Sequence, residues 1–338
     1  MSLLNSDELS IFLRNKVIDL KKKKILISNL SGTELEKDLT ISPNCNGFGR
    51  IRHFRRIPHK NWPADPLPID PAIKALGLES KEILLAEVFQ IAACNFRCWY
   101  CFVPYRLLAG SEEHARFFSA SELLDLYQAQ SDSPCVIDLS GGQPELTPEW
   151  TLWMIEELQA RKLSSCVYLW SDDNLSNDYF WKYLSEKDIE RIVNYKNYGR
   201  VCCFKGFSEA SFFFNSNVDP IYFPRQFMLL NRYISTGLDV YAYVTLTTPA
   251  RKNMRDEIRI FFDRLQMIDE NLPLRTVPLK IQVFTPVKSR LNLLANEALE
   301  NQLIAVEYWN REIMARFSDE MRLKNITEVR YKNYISEK

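Results

Sequence analysis

From Glu82 onward, short apolar runs alternate with stretches in which apolar residues recur every three or four positions. Such alternation predicts strands followed by helices. Residues 83–92 are a mostly apolar run of strand length, and 135–139, 166–170, 200–204, 240–246 and 280–284 predict five more strands. Between them, Ser119 or Ser121 can cap a helix through about Gln130. Thr147 can cap another with Pro148 at its first position, where proline is favoured, and Trp150, Met154, Ile155 and Leu158 give that helix an apolar face. Helices are predicted over about 177–195, 224–236 and 254–268. A last helix carries Leu299, Leu303, Val306, Ile313 and Phe317 on one stripe. Repeated strand–helix units imply a parallel sheet with right-handed crossovers. Six units are too few for a closed eightfold barrel. The predicted fold is therefore α/β, a partial (β/α)6 barrel open on one side with an N-terminal extension. Tyr241, Tyr243 and Thr245 share one face of the fifth strand, either lining the cavity or lying under a helix.

The pattern divides the chain into an extension over 1–80, a barrel core over 81–290 and a C-terminal helical extension over 291–338. Ser6 can cap a short helix through Leu20, followed by a solvated run of lysines from Lys21 to Lys24. Residues 42–72 are rich in proline, glycine and basic groups: Arg50, Arg52, His53, Arg55, Arg56, His59 and Lys60 precede Trp62-Pro63-Ala64-Asp65-Pro66-Leu67-Pro68. So many prolines predict an extended segment without regular structure, lying on the barrel near its open side or mouth. Its arginines are either surface cations paired with carboxylates or a clamp for an acidic or phosphate-bearing substrate.

Composition changes this picture little. The 338 residues are 46% hydrophobic, enough for a sizeable core, and Lys+Arg equals Asp+Glu at 43 each. That balance calls for neither nucleic acid nor an anionic membrane. The eight cysteines are irregularly spaced in a chain too large to need disulfide staples. Asp7, Glu8, Arg14, Lys16 and Asp19 interrupt the first twenty residues, unlike a signal peptide. A reducing, cytoplasmic setting is the expectation.

Chemistry concentrates at the ends of the predicted strands, where barrel active sites gather. After the first comes Cys94-Asn95-Phe96-Arg97-Cys98-Trp99-Tyr100-Cys101. Three thiolates so spaced can hold three irons of a [4Fe–4S] cluster and leave the fourth iron open. The bland alternative is a zinc knuckle, with His114 or Cys45 as fourth ligand, in a non-enzymatic iron–sulfur or zinc module of an electron-transfer assembly. After the second strand comes Gly141-Gly142-Gln143-Pro144, where two glycines let backbone approach a ligand. Ser171, Asp172, Asp173 and Asn174 follow the third strand, and Cys203 and Lys205 close the fourth. Alternation sends Cys202 and Cys203 to opposite faces.

The cysteine spacing, with an aromatic residue before the last cysteine, together with the glycine turn some forty residues later resembles the radical S-adenosylmethionine (radical SAM) enzymes. The resemblance covers roughly residues 82–287 and implies that family's partial barrel. It implies a [4Fe–4S] cluster on Cys94, Cys98 and Cys101, with SAM as second cofactor. Reductive cleavage of SAM would make a 5′-deoxyadenosyl radical that abstracts hydrogen from an unidentified substrate. Tyr100 would lie near adenine, and Gly141, Gly142, Gln143 and Pro144 would meet the SAM amino group. Ser171 and Asp173 are candidates for the ribose, with Ser208 and Glu209 further off. Gln143 departs from the family's usual glutamate. Lys205 alone matches the Asp-x-Lys of the glycyl-radical activating enzymes, which the chain resembles distantly. It is the candidate catalytic cation, holding the SAM carboxylate or an acidic substrate. The family also implies a flavodoxin- or ferredoxin-like electron donor. A small molecule, a peptide or a protein all stay open as substrate.

Overall fold

The computed structural model describes residues 4–59 and 62–332, so Lys60 of the basic cluster lies outside the described residues. Its strands are β1 (Ile18–Asp19), β2 (Lys24–Ser28), β3 (Gly49–Arg55), β4 (Ile83–Gln90), β5 (Ala115–Ser119), β6 (Val136–Ser140), β7 (Tyr168–Asp173), β8 (Tyr198–Phe204), β9 (Val240–Thr245) and β10 (Thr276–Leu279). Seven form one curled sheet in the order β10-β9-β8-β7-β6-β4-β3. The six from β4 to β10 are all parallel, with a helix in every connection. This is the partial (β/α)6 barrel that the alternation predicts. β1, β2 and β5 form a small antiparallel sheet beside it.

Strand alternation sorts the core into two layers. Outward-facing Phe89, Ile137, Leu139, Leu169, Cys202, Phe204, Ala242 and Val244 pack under the helices. Inward-facing Ala86, Val136, Tyr168, Trp170, Val201, Cys203, Tyr241 and Tyr243 fill the barrel. Cys202 and Cys203 do point to opposite faces, and Tyr241 and Tyr243 belong to the interior. The helix Ile69–Leu76 lays Ile69 and Ala72 on this inner layer, with Leu67 just before it.

The basic segment is not irregular. Gly49–Arg55 is a strand, antiparallel to β4 with Arg50 opposite Val88 and Arg52 opposite Ala86. The prolines begin only after it, and Ala64–Leu67 returns along it through the pairing of Arg55 with Asp65. Other expectations also shift. The third strand runs on through Ser171–Asp173 rather than ending before them. The sixth lies at Thr276–Leu279, not 280–284; it contains Pro278, which an edge strand tolerates. The stretch 177–195 splits into Tyr179–Tyr183 and Glu186–Val193, the second started by a Ser185 capping box. Thr147 bonds the Pro144 carbonyl at 3.2 Å instead of capping the helix Glu149–Ala160. Asn5, not Ser6, caps Ser6–Val17. The long helix Leu293–Arg316 buries Ala295, Ala298, Ala305 and Trp309 and leaves Leu303 exposed, so its buried stripe is rotated from the expected one. Among the described residues no helix is long and apolar enough to cross a membrane.

Candidate functional site

Parallel strands deliver their C-terminal ends to one rim, and a cavity of about 270 Å³ opens there. Cys94, Cys98, Cys101, Tyr100, Gly141, Gly142, Gln143, Asp173, Cys203 and Lys205 all line it. Cys45 and His114 do not, so neither stands beside the three thiols.

The cysteine loop is held from several sides. Its backbone donates from Cys94 to the Leu108 carbonyl at 3.2 Å, from Arg97 to Ser216 at 3.0 Å and from Trp99 to Asn215 at 3.3 Å. The Trp99 indole bonds the Asn215 side chain at 3.0 Å, and Tyr105 donates to the Cys98 carbonyl at 2.9 Å. Asn95 is fully buried and bonds Ser10 and Ser176, each at 2.8 Å. Asn174 donates to Asn95 at 2.9 Å and reaches the Cys94 sulfur at 3.9 Å. Asn174 therefore serves the cysteine loop. Burial pushes the Cys98 thiol up to about 12; neighbouring Lys205 pulls it back while Cys101 and Cys94 push further. Cys101 moves upward for the same first reason. Cys98 and Cys101 thus each sense Cys94 across a shared space. Among the described residues no three His, Cys, Asp or Glu side chains are grouped to hold a metal ion. A [4Fe–4S] cluster asks for something different, since each thiolate meets its own iron. Three coupled thiols facing one cavity fit that donor set.

Lys205 ends β8 inside this space. Burial lowers its proton affinity, but Cys203, Tyr100, Cys98 and Cys94 more than reverse that, and the net shift is upward. Its Nζ has no hydrogen-bond or ion-pair partner among the described residues. Tyr100 hydrogen-bonds Thr245 at 3.0 Å, which fixes its ring in the wall.

The glycine turn follows β6. Gly141 has φ +80°, which side-chain-bearing residues rarely adopt. A Cβ on Gly142 would stand 2.3 Å from the Ala93 carbonyl and 2.6 Å from that of Ile91. Gln143 N–H also donates to the Ala93 carbonyl at 2.8 Å. The missing side chain of Gly142 therefore makes room for the cysteine loop's own backbone. Gly142 also lines the cavity, so its bareness serves this packing whether or not a ligand meets its backbone. Gln143 is fully buried, donating to Asp173 at 2.8 Å and accepting from the Asn174 N–H at 2.9 Å. Pro144 is buried at the start of a single 3-10 turn and does not line the cavity.

The ribose candidates separate. Ser171 faces outward and bonds the Tyr198 hydroxyl at 2.7 Å, away from the cavity. Asp173 reaches the rim, but its carboxylate is committed to Gln143, to the Leu175 N–H at 2.8 Å and, at 3.5 Å, to Arg200. Ser208 is a helix cap, and Glu209 opens the helix it caps. Sequence reasoning missed Arg200, which is fully buried and joins Glu145 at 2.6 Å under the glycine turn. A lone arginine amid the apolar Tyr198–Phe204 was the available signal. Burial raises Glu145 to about 7, with Arg200 opposing and Asp173 assisting.

Sequence reasoning also missed a polar cluster inside the barrel. Arg52 points inward and pairs with Asp65 at 2.7 Å, Asp138 at 2.9 Å and Asp172 at 3.6 Å. Asp172 also accepts from Ser140, and Asp65 from Tyr243 at 2.6 Å. Burial, then Asp172, lifts Asp138 to about 7 against the pull of Arg52. Arg50, Arg52 and Arg55 all line the cavity, whereas Arg56 pairs with Asp70 at 2.6 Å and does not.

No protein-family model matches the chain, and no curated protein does. Solved structures that resemble it include SuiB of Streptococcus suis bound to its precursor peptide SuiA, at 16% identity and TM-score 0.44, covering 68% of this chain and 46% of that one. SuiB bound to S-adenosylmethionine gives 16% identity and TM-score 0.45, covering 68% and 47%. The anSMEcpe protein with bound AdoMet gives 12% identity and TM-score 0.39, covering 55% and 47%. The matched region is thus less than half the length of each of these structures.

Proposed function

We propose that the chain is a radical SAM enzyme. The observation that carries the reading is convergence. Three thiols within eight residues, a glycine turn pinned to their loop and a lysine without a partner among the described residues meet in one cavity at the C-terminal rim of six parallel strands. A zinc or electron-transfer module needs neither the turn nor the cavity. Cys94, Cys98 and Cys101 would hold a [4Fe–4S] cluster, which with SAM bound supplies a one-electron reduction that releases a 5′-deoxyadenosyl radical. This chain's residues do the rest. Lys205 offers its charge to the SAM carboxylate, and Tyr100, fixed by Thr245, walls the adenine side. The backbone of the glycine turn presents acceptors to the amino group. Phe96, Trp99 and the aromatic rim keep water from a reactive radical. A flavodoxin- or ferredoxin-like donor and a cytoplasmic setting complete the proposal. The subfamily is open, and Lys205 is the one trait shared with the activating enzymes.

Anaerobic reconstitution tests it. The protein should take up about four irons, and reduction with SAM present should yield 5′-deoxyadenosine. Alanine at Cys94, Cys98 or Cys101 should abolish both, while Cys166→Ala, at an exposed thiol, should change neither. Full iron uptake in any of the three variants would overturn the ligand assignment.

A further inference from the structure

β3 runs antiparallel to β4, so it begins where β4 ends. Its first inward-facing residue, Arg50, therefore stands at the cysteine rim, one step nearer the mouth than Arg52. Arg50 is only 4% exposed, yet it lines the cavity. Its Nε is buried without a partner, and among the described residues no hydrogen bond or ion pair reaches its guanidinium. It lies over the face of Phe102, 4.9 Å away and next in sequence to Cys101, while Asp138, Asp172 and Glu87 act on its charge without bonding it. The contrast with Arg52 is sharp. Of the carboxylates that share the lining, Asp65 is held by Arg52 and Tyr243, and one oxygen of Asp172 by Arg52 and Ser140; the other Asp172 oxygen has no partner among the described residues, and it too makes no hydrogen bond or ion pair with Arg50. An enclosed guanidinium without an anion is costly. Its planar fork matches a carboxylate or phosphate through two parallel hydrogen bonds. Beside it, Phe102 lies 5.9 Å from Phe284, which lies 5.1 Å from Trp62, an aromatic wall along the mouth.

We propose that Arg50 recognises the substrate by an anionic group, a carboxylate or a phosphate, on a small molecule whose flat apolar part lies along Phe102, Phe284 and Trp62. Naming that molecule the substrate rests on the radical SAM reading; the anion site itself does not. It leaves Lys205 for the cofactor and gives Lys205 and Arg50 separate tasks within the cavity.

Three probes test the site on the full chain after anaerobic reconstitution: benzoate, phenyl phosphate and neutral benzyl alcohol, by calorimetric titration. One of the two anions should bind at least about tenfold more tightly than benzyl alcohol, and which one does assigns carboxylate or phosphate. Arg50→Gln should remove that advantage, Arg50→Lys should keep only part of it, and Arg56→Gln should leave it intact. Anions that bind no better than benzyl alcohol, or an advantage that survives Arg50→Gln, would overturn the proposal. If Arg50→Gln does not fold, the wild-type structure with 4-bromobenzoate or 4-bromophenyl phosphate decides. A bromine beside the aromatic wall with the anion on Arg50 supports the site, and any other position refutes it. A wild-type protein that cleaves no SAM but takes the anion on Arg50 would fail the enzyme reading and keep this one.

Discussion

At the scale of single residues, the site is defined as much by what is missing as by what is present. Gly142 carries no Cβ because the carbonyls of Ile91 and Ala93 occupy that place. Gly142→Val should therefore dislodge the cysteine loop itself. Iron uptake and SAM binding should fall together, with a stability loss of about 1–3 kcal/mol from overpacking. Iron analysis and denaturant unfolding check this; normal iron uptake with SAM binding alone impaired would favour the ligand-facing role. Gln143 shows a different economy. Its amide nitrogen faces the buried Asp173 carboxylate, where a second carboxylate would be repelled. Gln143→Glu should cost about 2 kcal/mol. Adding Asp173→Asn should recover part of that, so the pair should be non-additive in a double-mutant cycle. Additive losses would mean that the two side chains do not sense one another. A glutamate at this position would face Asp173 on β7, a neighbour that no reading of the turn alone could supply.

At the scale of elements, strands that are mostly apolar were legible, and stretches with several charged residues were not. β4, β6, β8 and β9 are mostly apolar, as parallel strands covered on both sides tend to be, each of the first three carrying a single charge: Glu87, Asp138 and Arg200. β7 extends through Ser171, Asp172 and Asp173 because the carboxylates find Arg52 on one face and Arg200 on the other. β3 escaped notice for the same reason, since its inward Arg52 meets carboxylates from distant segments. Short-range pattern cannot show such pairings. The cysteines, the glycine turn and Lys205 were legible because their spacing and strand-end positions are local. The pair β3–β4 also makes a pH prediction. Burial raises Glu87 to about 7, against hydrogen bonds from Gln130 and Asn44 and the charge of Arg50. Between the ordinary carboxylate range and pH 7 the unfolded chain ionises while folded Glu87 keeps its proton. Stability is therefore lost as pH rises through that window, at most about 1.4 kcal/mol per pH unit for one group. Relative to wild type, Glu87→Gln should gain stability from pH 5 to 7 and level off above. Urea unfolding at four pH values checks it, and a pH-independent difference would show that Glu87 titrates normally.

At the scale of the whole molecule, residues before 81 complete the sheet and its filling. Phe54, Leu67, Ile69 and Ala72 are each buried to within 2% in the inner layer. At about 2 kcal/mol for each large side chain, their removal approaches the net stability of a typical domain. A chain starting at residue 81 should therefore bind a hydrophobic dye and lose its cooperative unfolding transition. A cooperative transition with full iron uptake would instead make those residues a dispensable extension. The same filling has a consequence for traffic. Phe54, Tyr168, Trp170 and Tyr241 close the floor of the barrel, with the helix Ile69–Leu76 packed on that layer. Among the described residues the chamber is therefore filled at that end, leaving the rim as its doorway. Whatever reaches it must back out through the doorway it used, so a spent molecule lingering there bars the next arrival.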